Sequence, residues 1–310
     1  MDTIIIGSFS KTRLVKYRKT NKLYALKSMN RSTIYEYKQL HHIYNEKSIL
    51  SSITHPGIPR LYTTFSHRTS VHCLMEFVPG GELFTHIRRS GKLEGTTCKF
   101  YVAELVVLLE FLHERHIVFR DIKPENLLLD LRGHIKLYDF TFAKQLNEGR
   151  TYTICGTPDY MAPEILNGQP YSLEVDWWSL GVLMFEMMTG YPPFDTRNEI
   201  SPPSRDPAGI VFPKYINPLA LDLMKRLLVV EPEKRIGAKD VMELKSHPWF
   251  FQEPAIHWME ITKWSGEGPI NLAPLTSFYD HYPEDENTDF EDEEQNVDLP
   301  KEVSDFFDSF

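Results

Sequence analysis

The stretch Val118–Leu129, followed by Leu137–Phe140, constrains this chain more than any other, because it sets four polar side chains at fixed offsets between apolar runs. The apolar flanks Ile117–Val118 and Leu127–Leu129 predict short buried strands, so the polar groups are expected on a rigid loop. Phosphoryl transfer needs a carboxylate for the hydroxyl proton, a cation for the moving phosphate and oxygen ligands for Mg²⁺. The polar side chains offer all three: Asp121, Lys123, Asn126 and Asp139.

The size and charge of the chain exclude several other classes of protein. Its 310 residues with 42% hydrophobic content can bury the core of one large domain or two lobes. A formal net charge of −9 argues against nucleic acid as a partner. The three cysteines, Cys73, Cys98 and Cys155, are too few and too scattered for a disulfide framework or a metal cluster, and an odd number predicts free thiols.

No targeting or membrane segment is predicted. Met1 to Ile6 has no basic region before its apolar run, and Asp2 stands where myristoylation requires glycine. The longest apolar window, Tyr101–Leu112, carries Glu104 and Glu110 and is too short to cross a bilayer. We therefore expect a soluble, monomeric protein of the cytoplasm or nucleus, without a membrane partner.

The pattern of apolar residues changes character near residue 80. Lys38–Leu50 has a helical pattern, and Pro79–Gly81 breaks the chain as a hinge does. From Leu83 onward helical periods dominate, most strongly in Cys98–Glu114. The segments before residue 80 predict the strands of one antiparallel sheet: Ile4–Met29, Ile58–Phe65 and Val71–Glu76.

The motif Asp121-x-Lys123-x-x-Asn126 with Asp139-Phe140 resembles the catalytic loop and magnesium loop of eukaryotic protein kinases. The run Gly149–Glu164 resembles the activation segment of the AGC group, the cAMP-dependent kinases above all. The resemblance covers essentially the whole chain and implies an α+β bilobal kinase fold. A five-stranded antiparallel lobe with one main helix would span residues 1–78, a mostly helical lobe 79–250, and a C-terminal tail 251–310.

The resemblance implies a role for each polar residue of the loop. Asp121 orients the substrate hydroxyl and accepts its proton, Lys123 stabilises the migrating phosphoryl group, and Asn126 with Asp139 binds Mg²⁺. ATP is the implied phosphoryl donor. The residues implied to hold it are Ile5, Gly7, Ser8, Phe9, Ser10, Thr12, Ala25, Lys27, Glu46, Met75, Glu76, Val78, Glu82, Leu128 and Tyr279.

Four residues depart from the family pattern. Ile5 and Ser10 replace two of the three glycines expected over the phosphates, which predicts a stiffer loop and a less favourable grip. Thr12 stands where an apolar residue normally caps the adenine ring. Thr141 replaces the glycine after Asp139-Phe140, and its β-branch predicts slower or absent flipping of Asp139 without loss of magnesium.

These departures leave three hypotheses for the function. Ile5, Ser10 and Thr141 favour a nucleotide-binding pseudokinase scaffold with little transfer activity. A module that only docks through its tail would leave the catalytic residues unexplained. The intact catalytic set favours an active serine/threonine kinase, and six residues carry that preference: Asp121, Lys123, Asn126, Asp139, Lys27 and Glu46.

The activation segment implies regulation by phosphorylation. Thr153 matches the activating phosphorylation site, and the phosphate would pair with Arg120, Lys144 and His42. An unmodified loop threonine and a solvated surface histidine are the alternatives. Within the same resemblance Glu164 pairs with Arg235, and Asp176 anchors the backbone of the catalytic loop.

Protein substrates are implied, with a preference for basic sequences. The proline-rich segment 201–209 cannot hold an ordinary helix, and Pro203 falls near the place of an expected substrate-reading glutamate, so arginine preference is predicted to be weakened. A cAMP-binding regulatory subunit is a further implied partner, and the same segment is predicted to weaken its binding. The residues implied to contact substrate are Glu82, Glu125, Ile154, Thr157, Pro158 and Met161.

The tail carries two further predictions. Glu284–Glu294 is acidic and predicts a solvated, disordered stretch. Phe307 and Phe310 resemble the Phe-x-x-Phe element that docks on the small lobe beside the Glu46 helix in this kinase group. Exposed aromatic residues without a pocket would be unusual.

Overall fold

The computed structural model describes residues 3–7, 10–67, 69–147, 149–194, 205–272, 279, 300–308 and 310. The predictions for Ser8, Phe9, Pro203 and the acidic stretch Glu284–Glu294 lie outside the described residues. Among the described helices, none is both long and apolar enough to span a bilayer.

The N-terminal part is a five-stranded antiparallel sheet, as the alternating segments predicted. Its strand order is β1-β2-β3-β5-β4, so β3 lies at the centre of the sheet and pairs with β2 on one side and β5 on the other. In this register Thr12 on β2 lies opposite Lys27 on β3, and Cys73 on β5 flanks Lys27 from the other side. The strands are Thr3–Ile6 (β1), Lys11–Lys16 (β2), Leu23–Asn30 (β3), Leu61–His67 (β4) and Ser70–Glu76 (β5).

Two helices connect β3 to β4. The first is the single-turn-and-a-half helix Arg31–Glu36 (α1), capped by the Asn30 side chain, which accepts from the Ser32 amide at 2.8 Å. The second, Leu40–Ser52 (α2), is the main helix of this part and begins two residues later than its predicted start at Lys38. Its buried face carries apolar residues and Glu46, which places one carboxylate against the sheet.

The remainder is mostly helical and packs around two long buried helices. Both are apolar on nearly all sides, as expected of helices inside a core. The helices are Leu83–Ser90 (α3), Gly95–His113 (α4), Pro163–Leu166 (α5), Val175–Thr189 (α6), Pro218–Leu227 (α7), Val241–Lys245 (α8), Pro248–Phe251 (α9), Trp258–Thr262 (α10) and Lys301–Asp308 (α11).

Two short strand pairs frame the polar motif. Ile117–Val118 (β6) pairs with Lys144–Gln145 (β9), and Leu127–Leu129 (β7) pairs with Ile135–Leu137 (β8). The loop containing Asp121 therefore leaves one ribbon and enters the other, while Asp139 lies two residues after the end of β8. The predicted buried strands on either side of this loop are confirmed.

The tail element α11 lies against α2. Phe307 is fully buried and Phe310 is 8% exposed, and Lys47 of α2 lies 4.5 Å from the centroid of the Phe310 ring. The Lys47 ammonium also donates to the Phe310 carbonyl at 2.6 Å. Of the segment 201–209, the described part holds a short 3-10 turn at Pro207–Gly209.

Candidate active site

A buried carboxylate fixes the backbone of the loop before Asp121. Asp176 on α6 accepts from the backbone amides of Phe119 and Arg120 at 2.9 and 2.8 Å. Arg120 has a φ of 70°, a left-handed conformation that costs free energy in a non-glycine residue. The two hydrogen bonds from these amides to Asp176 compensate for that cost and fix the orientation of the next residue, Asp121.

Asp121 is surrounded by hydrogen-bond donors. Its Oδ1 accepts from the Thr157 amide at 3.0 Å and from the Thr157 hydroxyl at 2.8 Å. Its Oδ2 lies 2.9 Å from Lys123 Nζ and accepts from Asn126 Nδ2 at 2.8 Å. Lys123 also donates to the Thr157 hydroxyl at 2.8 Å, so the threonine bridges the carboxylate and the ammonium.

Lys27 joins the sheet, α2 and the loop after β8. Its Nζ lies 2.7 Å from Glu46 Oε1 and 2.9 Å from Asp139 Oδ1, and its side chain is 2% exposed. Burial would lower the pKa of Lys27, but the carboxylates of Asp139 and Glu46 outweigh it and hold that pKa well above its ordinary value. Lys27 is therefore charged, and the predicted ion pair with Glu46 is formed.

Thr141 is part of the same cluster through its hydroxyl group. Thr141 Oγ1 donates to Asp139 Oδ1 at 2.5 Å and accepts from Lys27 Nζ at 3.1 Å. Burial would raise the pKa of Asp139, but Lys27 and the Thr141 hydroxyl bring it down to about 2. The threonine thus ties the carboxylate inward by a hydrogen bond, in addition to the steric effect expected from its β-branch.

Asn126 and Asp139 fit the donor set of a magnesium ion. Within the described residues, the side-chain hydrogen bonds of Asp139 all go to Oδ1 and those of Asn126 all come from Nδ2. Asp139 Oδ2 and Asn126 Oδ1 thus remain as oxygen ligands. No group of three His, Cys, Asp or Glu side chains in the described ranges could hold a metal. Mg²⁺ is held by few protein oxygens when substrate phosphates complete its shell.

These groups share one cavity of about 380 Å³ between the sheet and the helical part. It brings together the residues implied for catalysis, for the metal and for the phosphates, which the sequence alone could not show to be neighbours. The predicted site residues that line it are Ile5, Gly7, Ser10, Lys27, Glu82, Asp121, Lys123, Glu125, Asn126 and Asp139.

The residues implied to hold the base lie deeper. Ala25 and Met75 are paired across β3 and β5, and Leu128 bridges to Glu82, so these elements converge. Ala25, Met75, Val78 and Leu128 are at most 5% exposed. The Glu76 amide donates to the Arg60 carbonyl at 2.8 Å, and the Tyr279 hydroxyl donates to the Val78 carbonyl.

The loop implied to cover the phosphates is closed at its base by one backbone bond. The Gly7 amide donates to the Ser10 carbonyl at 2.8 Å. A Cβ built on Gly7 would lie 2.8 Å from Ser10 Oγ, so glycine is the residue that fits this turn without displacing its neighbour. Thr12, just beyond the loop, is buried and bonded to Tyr138 at 2.9 Å.

The predicted phosphorylation site is accessible. Thr153 is exposed, and its hydroxyl lies 3.5 Å from that of Thr151, to which Lys144 Nζ donates at 3.0 Å. Arg120 donates to the Tyr171 hydroxyl at 3.0 Å, and Tyr171 in turn donates to the Thr153 carbonyl. Arg120 is therefore connected to Thr153 through Tyr171, and Lys144 is connected to it through Thr151.

His42 on α2 packs against the loop that follows Asp139. Its ring packs edge-to-face against Phe142 with 5.6 Å between centroids. Burial, followed by the charge of Arg120, lowers the pKa of His42 despite a hydrogen bond to the Thr141 backbone. The lowered pKa favours the neutral ring while Thr153 is unmodified, and the pairing of His42 with a phosphate stays a prediction.

The implied substrate shelf is partly exposed. Ile154 is 61% exposed, Pro158 is exposed, and Met161 lies beneath them at 7%. Arg205, within the proline-rich segment 201–209, donates to the Pro158 carbonyl and lies 4.8 Å from the Phe194 ring. The predicted structural pair Glu164–Arg235 also forms, with 2.9 Å between Oε1 and Nη1.

Glu186 was not identified from the sequence as a candidate site residue. It lies in the last third of α6, and Tyr160 donates a hydrogen bond to its carboxylate. Burial raises the pKa of Glu186 to about 7; the Tyr160 hydrogen bond opposes this, and the charges of Glu125 and Asp159 add to it. An acid inside the otherwise apolar run from Leu180 to Met188 was the signal that could have singled it out.

Comparison with known proteins agrees with this geometry. The protein kinase domain model matches residues 2–250. A cAMP-dependent protein kinase catalytic subunit of Dictyostelium discoideum is 44% identical over 297 residues, which is 95% of this chain and 44% of that relative. The catalytic subunit PRKX of Homo sapiens is 41% identical, over 92% of this chain and 80% of the relative.

A third relative is the cAMP-dependent protein kinase type 3 of Saccharomyces cerevisiae, 39% identical over 97% of this chain and 77% of its own length. The chain thus spans less than half of the Dictyostelium relative and over three quarters of the other two. With the family match, the five-stranded sheet and the Lys27–Glu46 pair, the conclusion is that this chain belongs to the protein kinase family, among the serine/threonine kinases of the cAMP-dependent catalytic-subunit type.

Proposed function

We propose that this chain transfers the terminal phosphoryl group of ATP to serine or threonine hydroxyls of protein substrates, with Asp121 and Lys123 as its catalytic residues. The observation that supports the roles is that the Asp121–Lys123–Thr157 group and the Lys27–Glu46–Asp139 group line or adjoin one cavity. A proton acceptor and a cluster that fixes the nucleotide must meet in one place for in-line transfer.

Asp121 orients the hydroxyl of the substrate and accepts its proton. The donors Thr157, Lys123 and Asn126 hold both carboxylate oxygens, so its direction is set before substrate binds. Preorganisation of this kind avoids a reorganisation cost in the transition state. Lys123 lies close enough to share its charge between Asp121 and the phosphoryl group in transit.

Lys27 holds the non-transferred phosphates, and Glu46 holds Lys27. Asn126 and Asp139 would bind Mg²⁺ through their remaining oxygens, and the ion supplies neutralisation of phosphate charge when bound. Since Lys27 also contacts Asp139 at 2.9 Å, the phosphate-holding and metal-holding groups are positioned together. A shift of α2 would disturb both at once.

Basic segments are the substrates that the surface favours. Glu125, Asp159 and Glu186 lie close enough to influence one another's ionisation, beside the loop that carries Asp121. A guanidinium placed among them would neutralise their repulsion and satisfy a buried carboxylate. The cluster supports arginine recognition even though the proline-rich segment weakens the case for further contacts.

Regulation follows the same comparison. Relatives bear names that describe them as cAMP-dependent, and we infer a cAMP-responsive regulatory chain as a partner and Thr153 as an activating phosphorylation site. A pull-down with a regulatory chain that carries a pseudosubstrate, with and without cAMP, tests the first inference. Loss of capture on addition of cAMP is the expected result.

The test of the central proposal is transfer of labelled phosphate from ATP to a basic serine peptide. The wild type should label the peptide, and Asp121→Asn, which keeps size but not the proton acceptor, should reduce the rate at least about a hundredfold. Glu243→Gln, on the exposed helix α8, is the matched control and should leave the rate unchanged. Equal labelling by the wild type and Asp121→Asn would leave the scaffold hypothesis standing.

A further inference from the structure

Tyr138 and Thr12 join opposite walls of the cleft. Thr12 lies on β2 in the sheet, and Tyr138 lies between β8 and Asp139 in the helical part, 126 residues later. The two hydroxyl oxygens are 2.9 Å apart, and the side chains are 2% and 6% exposed. Neither hydroxyl group has a part in the transfer chemistry described above.

The Tyr138 ring stands beside the group that holds phosphate. Lys27 Nζ lies 6.0 Å from the ring centroid, and Thr12 is the direct cross-strand neighbour of Lys27. A side chain that starts next to Asp139 and ends at Thr12 must cross the cleft at the level of Lys27. It therefore stands between the phosphate end and the wall implied for the base.

The shape of the cavity agrees with this position. Tyr138, Lys27 and Asp121 line the space of about 380 Å³. Among the described residues that line it, the base wall formed by Ala25 and Met75 is not represented. The cavity accordingly extends over the phosphate and catalytic groups, with Tyr138 in its wall.

We propose that Tyr138 is a gate of the nucleotide site, held shut by its hydrogen bond to Thr12, and that the base enters only after the phenol swings away. This inference rests on the proposed function, since it takes ATP as the substrate. A single neutral hydrogen bond has modest net strength because water replaces it on opening. The closed form then reduces the apparent affinity for nucleotide by the fraction of molecules that are open.

Two substitutions remove the hydrogen bond from either side while keeping side-chain volume. Thr12→Val deletes one hydroxyl and Tyr138→Phe deletes the other. Each should tighten the binding of ADP and of a non-hydrolysable ATP analogue with Mg²⁺, measured by calorimetry, by about fivefold, the factor carried by one net hydrogen bond. Tyr17→Phe and Thr63→Val, both on exposed positions of the sheet region, are matched controls and should leave the dissociation constant unchanged.

The double variant separates the gate from direct contact with the base. If both substitutions act by breaking one bond, Thr12→Val with Tyr138→Phe should bind about as tightly as either single variant. Fully additive gains would mean that each side chain acts on the base by itself, which would overturn the proposal. Unchanged or weaker affinity in the single variants would overturn it as well.

Tyr138→Ala tests the role of the ring. A gate predicts tighter binding on truncation, whereas a ring on which the base stacks predicts weaker binding. Thermal unfolding of each variant shows that the fold is intact before affinities are compared. Phosphoryl transfer by the wild type is measured separately, with Asp121→Asn as the control. If the wild type transfers phosphate but the dissociation constants of the Thr12 and Tyr138 variants are unchanged, the gate is rejected and the kinase function stands. If those constants change but the wild type transfers no phosphate, the kinase function is rejected and the gate stands.

Discussion

At the scale of single residues, Thr141 is the departure with the most direct consequence. Its hydroxyl contacts both Asp139 and Lys27, and a hydrogen bond to a charged group is worth about 1.5–3 kcal/mol. Thr141→Val keeps the β-branch and removes the hydroxyl, so we expect kcat to fall about tenfold and the Mg²⁺ concentration for half-maximal rate to rise. Steady-state kinetics over a magnesium series measures both.

Thr141→Ser is the control for that prediction. Serine restores the hydroxyl without the methyl group, so a rate close to wild type would assign the effect to hydrogen bonding. If the valine variant instead matched the wild type and the serine variant lost activity, the β-branch and not the hydroxyl would be holding Asp139.

We expect Glu186 to make the binding of basic substrates depend on pH. Its pKa of about 7 lies above the ordinary value of a carboxyl, so the group is largely protonated at pH 6 and ionised at pH 8. The KM for an arginine-containing peptide should therefore fall as pH rises through 7, because the ionised carboxylate attracts the guanidinium. Measuring KM for peptides with and without the arginine isolates this contribution.

Glu186→Gln should flatten that pH profile and raise KM for the basic peptide about tenfold, in line with loss of one partly buried charge-assisted hydrogen bond. The same shift has a consequence for stability with a defined sign. A carboxyl whose pKa is raised on folding stabilises the folded state most at low pH, and this contribution disappears as pH rises through about 7. If KM for the basic peptide depended on pH in the same way in Glu186→Gln as in the wild type, arginine would be recognised by other residues.

At the scale of elements, α11 supports α2 from outside. Phe307 is fully buried, and Phe310 lies under Lys47, one residue after Glu46. Phe307→Ala should destabilise the docked tail by about 3 kcal/mol, the usual cost of truncating a buried aromatic residue. Hydrogen exchange in residues 40–52 should rise, and kcat should fall because Glu46 loses its fixed position. Phe251→Ala, on a 57% exposed side chain, should change neither.

The elements themselves were largely predictable, and the polar cross-links between them were not. Alternation gave the five strands, and the apolar flanks of the Asp121 loop gave β6 and β7, because each pattern reflects burial of a local face. Tyr138 gave no such signal, since a tyrosine after a strand is an ordinary core residue until its hydroxyl is seen to reach Thr12. Likewise Glu186 acquires meaning only beside Tyr160 and Glu125, which are distant in sequence.

At the scale of the whole molecule, a few side-chain contacts connect the sheet to the helical part across the cleft. Lys27 reaches Asp139, and Thr12 reaches Tyr138. The first contact belongs to the proposed transfer site, and by the proposed gate the second lies across the path of the nucleotide. Opening and closing of the cleft therefore change affinity and chemistry through different residues.

Phosphorylation of Thr153 should act on this same scale. The phosphate adds nearly two negative charges close to Arg120 and Lys144, and Arg120 is joined to the Phe142 carbonyl at 2.7 Å and directly precedes Asp121. One or two new charge-assisted hydrogen bonds would order the activation segment and fix the catalytic loop beside it. We expect kcat/KM to rise about ten- to a hundredfold on stoichiometric phosphorylation, and the midpoint of thermal unfolding to rise with it at low salt. Thr153→Ala should abolish both effects, whereas Thr151→Ala should retain the gain in kcat/KM, because Lys144 is then free to turn to the phosphate. Equal activity of the phosphorylated and unmodified proteins would show that the unmodified segment is already in its active arrangement.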